Sequence, residues 1–197
     1  MRDGSAPQAT IQRAKATLVR AVNDRSADAS WTSIEDIYEA EFENLWRSLR
    51  RLGVPEPQLE DAVQEVFLVA HLRLHTFDRS RPLRPWLFGI AVRVVAEMRR
   101  RRRRDRPQGP AAEALVLEAL VGPEEALSAR QAQALVDEAL GVLDFDQRTV
   151  MVMHDLECLS APTIAEALSL SVNTVYSRLR IARGKVTAFL RRKRERP

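Results

Sequence analysis

Residues 160–185, SAPTIAEALSLSVNTVYSRLRIARGK, constrain the fold more than any other stretch of the chain. They read as two helices separated by a tight turn. Ser160 is placed to cap the first helix, and Pro162 falls in its first turn, where a missing N–H costs little. Ile164, Ala165 and Leu168 share one face of that helix. Ser169-Leu170-Ser171 makes the turn, and Ser171 caps the second helix. In the second helix Val172, Val175, Leu179 and Ala182 recur at helical spacing and predict a buried stripe against the first. The opposite face collects Asn173, Thr174, Ser177, Arg180 and Ile181, with Arg178 and Arg183 on the flanks.

A short helix followed by one with a small, polar and basic outer face is what a DNA-reading helix-turn-helix requires. Asn and Arg bond base edges in the major groove, Thr and Ile meet thymine methyls, and flanking Arg holds phosphates. The plain alternative is a helical hairpin with a solvated polar face.

Charge points the same way. The net charge is only +4, but Arg99–Arg104 is an unbroken run of arginines and the tail reads Arg191-Arg192-Lys193-Arg194. Such clusters fit a polyanion, nucleic acid first and an acidic membrane surface second. The single cysteine, Cys158, excludes an internal disulfide and a multi-cysteine metal site. No apolar run is long enough to span a bilayer, and the N-terminus has no apolar signal-peptide core, so a cytoplasmic protein is expected.

Periodicity divides the chain of 197 residues into four parts. Residues 1–30 are expected to be a mobile extension. In 31–104, Ile34, Ile37, Tyr38, Phe42, Leu45, Trp46, Leu49 and Leu52 pattern a first amphipathic helix. A second helix, from about 58 to 74, buries Leu59, Val63, Val66, Phe67 and Ala70. After a loop from 76 to 85, a third starts at Pro85 and runs into the arginines, which suit the negative end of its dipole. Pro and Gly mark 105–123 as a linker. In 124–197 one helix starts near Glu124 and another covers 146–156, followed by the helix-turn-helix and basic tail. No strand pattern appears. The expected fold class is all-α, with two small helical domains joined by a flexible linker, the second a helix-turn-helix domain.

Other groupings carry chemistry less well. Asp61, Gln64 and Glu65 form an acid-amide patch, read as a solvated face in preference to a general acid/base pair, because nothing near them suggests a cleft that would shift a carboxylate. The loop from Phe77 through Arg79 and Arg81 to Arg84 leads into Trp86. It combines stacking surface with phosphate-seeking charge, as single-stranded DNA requires; the alternative makes Phe77 and Trp86 core residues. His71 and His75 stand four apart without a third ligand, and His154, Asp155 and Cys158 lack a glycine-rich turn or oxyanion device. No phosphate-cradling glycine loop occurs. Neither catalysis nor a metal or cofactor is expected.

DAVQEVFLVAHLRLHTFD followed by RPWLFGIAVRVVAEMRRRRRR resembles region 2 of the bacterial RNA polymerase sigma factors of the extracytoplasmic-function (ECF) type. LDFDQRTVMVMHDLECLSAPTIAEALSLSVNTVYSRLRIARGKV resembles their region 4. The likeness spans about 33–104 and 125–190. It rests on the order and pairing of the stretches, not on one motif.

This resemblance implies that Asp61, Gln64 and Glu65 dock on the clamp helices of the polymerase β′ subunit. Phe77, Arg79, Arg81, Arg84, Trp86, Arg93, Arg99 and Arg100 then belong to the surface that opens the −10 element and captures a flipped base. Asn173, Thr174, Ser177, Arg178, Arg180, Ile181 and Arg183 belong to the −35 reader. Core polymerase, promoter DNA and an anti-sigma protein are the implied partners. A helix-turn-helix regulator of duplex DNA and a basic interaction module are the rivals, and neither needs the acidic patch or the Phe77 loop. Three departures stand out. Arg93 occupies a position where many relatives have Asn, Ala161-Pro162-Thr163 replaces a common Tyr-Glu-Glu, and Ser169 stands where Gly is usual.

Overall fold

The structure, a computed structural model, describes residues 33–105 and 124–195; the expected N-terminal extension and almost all of the linker lie outside them. All regular elements among the described residues are helical. Helix α1, Ile34–Arg51, opens on a capping box: Ser33 Oγ accepts from the Asp36 amide, and Asp36 Oδ2 accepts from the Ser33 amide at 2.9 Å. Its buried stripe is Ile37, Glu41, Leu45, Ser48 and Leu49. Tyr38, Phe42 and Trp46 lie at its margin, where Tyr38 stacks on Phe67 with centroids 4.7 Å apart.

Helix α2, Leu59–Arg73, buries Leu59, Ala62, Val63, Val66, Phe67 and Ala70 against α1 and α3. Helix α3 spans Leu83–Asp105 and begins two residues before the expected Pro85. Pro85 fits because first-turn amides have no intrahelical acceptor.

The second half contains α4, Glu124–Gly141; α5, Phe145–Met151; α6, Ala161–Leu168; and α7, Val172–Arg194. The helix expected over 146–156 is interrupted, because after Met151 the chain widens into a π-helical turn, Val152–Leu156. Asp144, Ser160 and Ser171 cap α5, α6 and α7, each accepting from the amide three residues on. Ser169 ends α6 in the left-handed region, φ 57° and ψ 45°, while the Leu170 amide reaches back to the Ala165 carbonyl at 2.8 Å.

Both halves feed one contiguous buried cluster. Helix α3 packs on α2 from its own half and on α6 from the other, and α6 packs in turn on α7. At the end of α1, Gly53 takes φ 91° and leaves the space that the buried Arg148 guanidinium of the second half occupies. Composition and periodicity, which describe each helix separately, contain no trace of this docking.

Candidate nucleic-acid interface

Helix α7 is held by Val175, Leu179 and Ala182, all essentially inaccessible. Val172, expected in the same stripe, is exposed at the first position of the helix, next to its Ser171 cap. Asn173, Ser177, Arg180 and Ile181 are exposed on the outer face. Thr174 is half-buried and belongs to the cap, its hydroxyl 2.8 Å from Ser171 Oγ. The sequence reading omitted Tyr176, which is 56 % exposed beside Asn173, Ser177 and Arg180. An aromatic residue three positions after Asn173 was the signal that could have found it.

The flanking arginines are positioned by carboxylates. Arg178 Nη2 donates to Asp146 Oδ2 at 2.5 Å. Arg183 grips Asp155 with two bonds, Nε to Oδ2 at 3.0 Å and Nη2 to Oδ1 at 2.6 Å, a bidentate pair with a fixed plane. Asp155 sits in the π-helical turn, and His154 Nδ1 lies 2.8 Å from its Oδ1. Burial pushes the Asp155 carboxyl up, but the hydrogen bonds from His154 and Arg183 outweigh it and hold the group well below the ordinary carboxylate range. The Asp155 hydrogen bond correspondingly raises the Arg183 guanidinium. His154 and Asp155 therefore serve an ion pair with Arg183 of α7.

In the first half, Phe77 and Trp86 are both half-buried and stacked with centroids 4.8 Å apart, combining a core role with a partly open ring surface. Arg79 and Arg81 are exposed on the loop between α2 and α3. Arg84, expected on the DNA surface, turns inward: its Nε and Nη2 donate to Glu41 at 3.1 and 3.3 Å. Glu41 is buried and needs a cation, which is the physical reason. Its sequence signal was a carboxylate inside the apolar stripe of α1.

Arg93 is exposed on α3, and its Nη2 donates to the Ala167 carbonyl of α6 at 3.4 Å. Arg100, Arg101 and Arg104 all bond Glu97, at 2.9, 3.3 and 3.2 Å. The Arg100 bond contributes most to holding the Glu97 carboxyl below its ordinary value. Arg99 lies 5.1 Å over the Phe145 ring of the second half. A cleft of about 480 Å³ opens between the halves, with Arg99, Arg100, Arg103 and Arg178 on its walls.

The acidic patch lies on α2, whose N-cap residue Gln58 accepts from Arg102 of the run. Asp61 and Gln64 are exposed and Glu65 half-buried along α2. Leu68 and Leu72 continue the same ridge at 59 % and 62 % exposure. The sequence reading missed these leucines, although the 61, 65, 68, 72 spacing was there to be read. The ridge therefore combines exposed apolar side chains with carboxylates.

The comparisons agree with this arrangement. Residues 37–105 match the family model for sigma-70 region 2, and residues 133–186 match that for sigma-70 region 4. The chain is 35 % identical over 153 residues to the RNA polymerase sigma factor CnrH of Cupriavidus metallidurans, covering 74 % of this chain and 80 % of that protein. It is 31 % identical over 169 residues to the sigma factor NccH of Alcaligenes xylosoxydans, covering 84 % and 91 %. The solved structure of CnrH with the cytosolic domain of CnrY is similar at a TM-score of 0.59 and 29 % identity, covering 87 % of this chain and 96 % of that one. RpoE of Bartonella quintana, solved with the anti-sigma factor NepR, shares the fold at a TM-score of 0.60 and 20 % identity, with 80 % and 96 % covered. With regions 2 and 4 present in order, the chain belongs to the sigma-70 family of RNA polymerase sigma factors, in its extracytoplasmic-function group.

Proposed function

We propose that the chain binds core RNA polymerase through the α2 ridge and directs it to a two-part promoter, where it helps melt the −10 element. The observation that carries this reading is the presence of two chemically unlike exposed surfaces. An acidic and apolar ridge on α2, suited to a basic protein, coexists with arginine-rich surfaces on α3 and α7, suited to phosphate. A regulator acting on duplex DNA alone has no use for the first.

In this reading residues 31–104 form the region 2 domain and 124–197 the region 4 domain. Asp61, Gln64 and Glu65, with Leu68 and Leu72, meet the polymerase clamp. Phe77, Trp86 and the surrounding arginines take the melted −10 strand, and Arg84 braces that surface through Glu41. Asn173, Tyr176, Ser177 and Arg180 face the −35 major groove, where Arg178 and Arg183 hold phosphates. Melting draws on binding energy: captured bases offset an unstacking cost of a few kcal/mol, with no nucleotide hydrolysed by this chain. The protein works in the cytoplasm, where polymerase is. Because CnrH was solved with CnrY, an inhibitory protein partner is also proposed here.

Transcription in vitro with purified core polymerase tests the reading, on a duplex promoter library and on a pre-melted bubble template. Specific initiation that depends on this chain is expected from both. Sequence-specific duplex binding without any initiation would instead make it a regulator.

A further inference from the structure

We propose that the reading face of α7 does not stop at Ile181 but continues as a seat for the DNA backbone, in which Gly184 admits a sugar-phosphate strand against the helix and Thr187, Arg191 and Arg192 hold its phosphates. Resting on the −35 reading of α7, this seat adds residues which that reading leaves unused. At about 100° per residue, Gly184, Thr187 and Arg191 fall within about 40° of Arg180, opposite the buried Val175, Leu179 and Ala182. All three are exposed, as is Arg192 on the flank of the stripe. An open groove of about 530 Å³ follows the stripe from Arg183 to Glu195, whose carboxylate marks its end.

Gly184 is the residue that points to a partner outside the chain. Glycine costs a helix interior more than any residue except proline, so its presence needs a reason. The other described glycines each have one. Gly53 takes φ 91°, a Cβ on Gly89 would stand 2.9 Å from the Ala167 carbonyl oxygen, and Gly141 is the last residue of α4. Gly184 lies in the middle of Val172–Arg194, and a Cβ there would meet nothing within 4 Å. No contact among the described residues requires it, whereas a missing side chain on an exposed face lets a ligand come close to the helix backbone.

Charge names the partner. Arg178, Arg183, Lys185 and Lys193 of the same helix are engaged by Asp146, Asp155, Asp144 and Glu138. Among the described residues, Arg180, Arg191 and Arg192 have no such carboxylate. Open guanidiniums beside a hydroxyl suit a row of phosphates. Position makes that row the duplex backbone. A recognition helix contacts base edges through its N-terminal residues. Asn173 to Arg180 already spans about 10 Å at 1.5 Å per residue, close to the roughly 12 Å width of the major groove. Gly184 lies about 6 Å beyond Arg180 and Arg191 about 16.5 Å beyond it, past the groove's edge where the phosphates run.

The test uses holoenzyme assembled from core polymerase and the full-length chain, binding duplex promoters randomised at the −35 element over a series of salt concentrations. Gly184→Ala should raise the thermal midpoint of the free chain, because alanine favours helix, and should nonetheless weaken promoter binding. Gly184→Leu should weaken it further, about tenfold. Both losses should be the same for every −35 sequence. Arg191→Ala combined with Arg192→Ala should flatten the slope of log affinity against log salt by about 0.9 per lost phosphate contact. Promoter affinity equal to wild type in Gly184→Leu would overturn the seat, as would an unchanged slope in the arginine double variant. A Gly184→Leu defect in capturing core polymerase instead of DNA would make this face a protein contact and overturn it too. A wild-type holoenzyme indifferent to the −35 sequence would refute the −35 reading itself, whereas failure of the seat alone leaves that sequence dependence in place.

Discussion

Ser169 closes α6 at φ 57° and ψ 45°, a conformation that costs an L-residue roughly 1–2 kcal/mol and glycine almost nothing. Allowing for the greater freedom of glycine in the unfolded chain, Ser169→Gly is expected to stabilise the protein by about 0.5–1 kcal/mol, read as a higher midpoint in thermal or urea unfolding. A midpoint that falls would mean the Ser169 side chain contributes more than its backbone strain costs. Asp155 supplies a pH signature. Its folded-state carboxyl is depressed by His154 and Arg183, so the stability it contributes is present above the unfolded value of about 3.9 and is lost as pH falls through the folded value. Asp155→Asn should therefore lower the melting temperature at neutral pH, and the gap from wild type should narrow progressively below pH 4. A gap independent of pH would assign the loss to packing instead of charge.

At the level of elements, α2 and α7 present faces that the core does not use. Replacing Asp61, Gln64 and Glu65 together by Ala should weaken capture of core polymerase while shifting stability by less than about 0.5 kcal/mol at the exposed Asp61 and Gln64, since exposed positions seldom matter to folding. Unchanged core affinity in a pull-down would remove that role. On α7, Arg180→Ala should cost roughly 1–3 kcal/mol of promoter affinity and relax base preference at particular −35 positions. Arg178→Ala and Arg183→Ala should instead weaken all promoters alike, each also releasing a carboxylate, Asp146 or Asp155. Selection from a randomised −35 library distinguishes the two behaviours. Identical base preferences before and after Arg180→Ala would place the reading register elsewhere on the helix.

Across the whole molecule, the arginine run of α3 meets both halves, Arg99 lying over Phe145 and Arg102 donating to Gln58. Neutralising Arg100, Arg101 and Arg103 should flatten the salt dependence of holoenzyme–promoter binding by about 0.9 log unit per lost duplex phosphate contact, or 0.7 on single strands. An unchanged slope would mean that the run is a solvated helix end whose charge is spent on Glu97, as three of its members already are.

Helix content, caps, the outer face of α7 and the order of the regions were legible because each depends on residues within about one helical turn of one another. The Ser171 cap and the Val175–Leu179–Ala182 stripe are local facts, and the 3.6-residue repeat states them directly. Arg84 could not be placed that way: its inward turn depends on a carboxylate 43 positions earlier. Arg183 likewise depends on a π-helical turn 28 positions before it. Most of all, the sequence by itself determined two helical units with DNA-facing surfaces, whereas only the tertiary structure decided that the units close on each other. That decision rests on the missing Cβ of Gly89 against the carbonyl of Ala167, a contact between residues 78 positions apart whose energy lies in shape, which composition and periodicity do not encode.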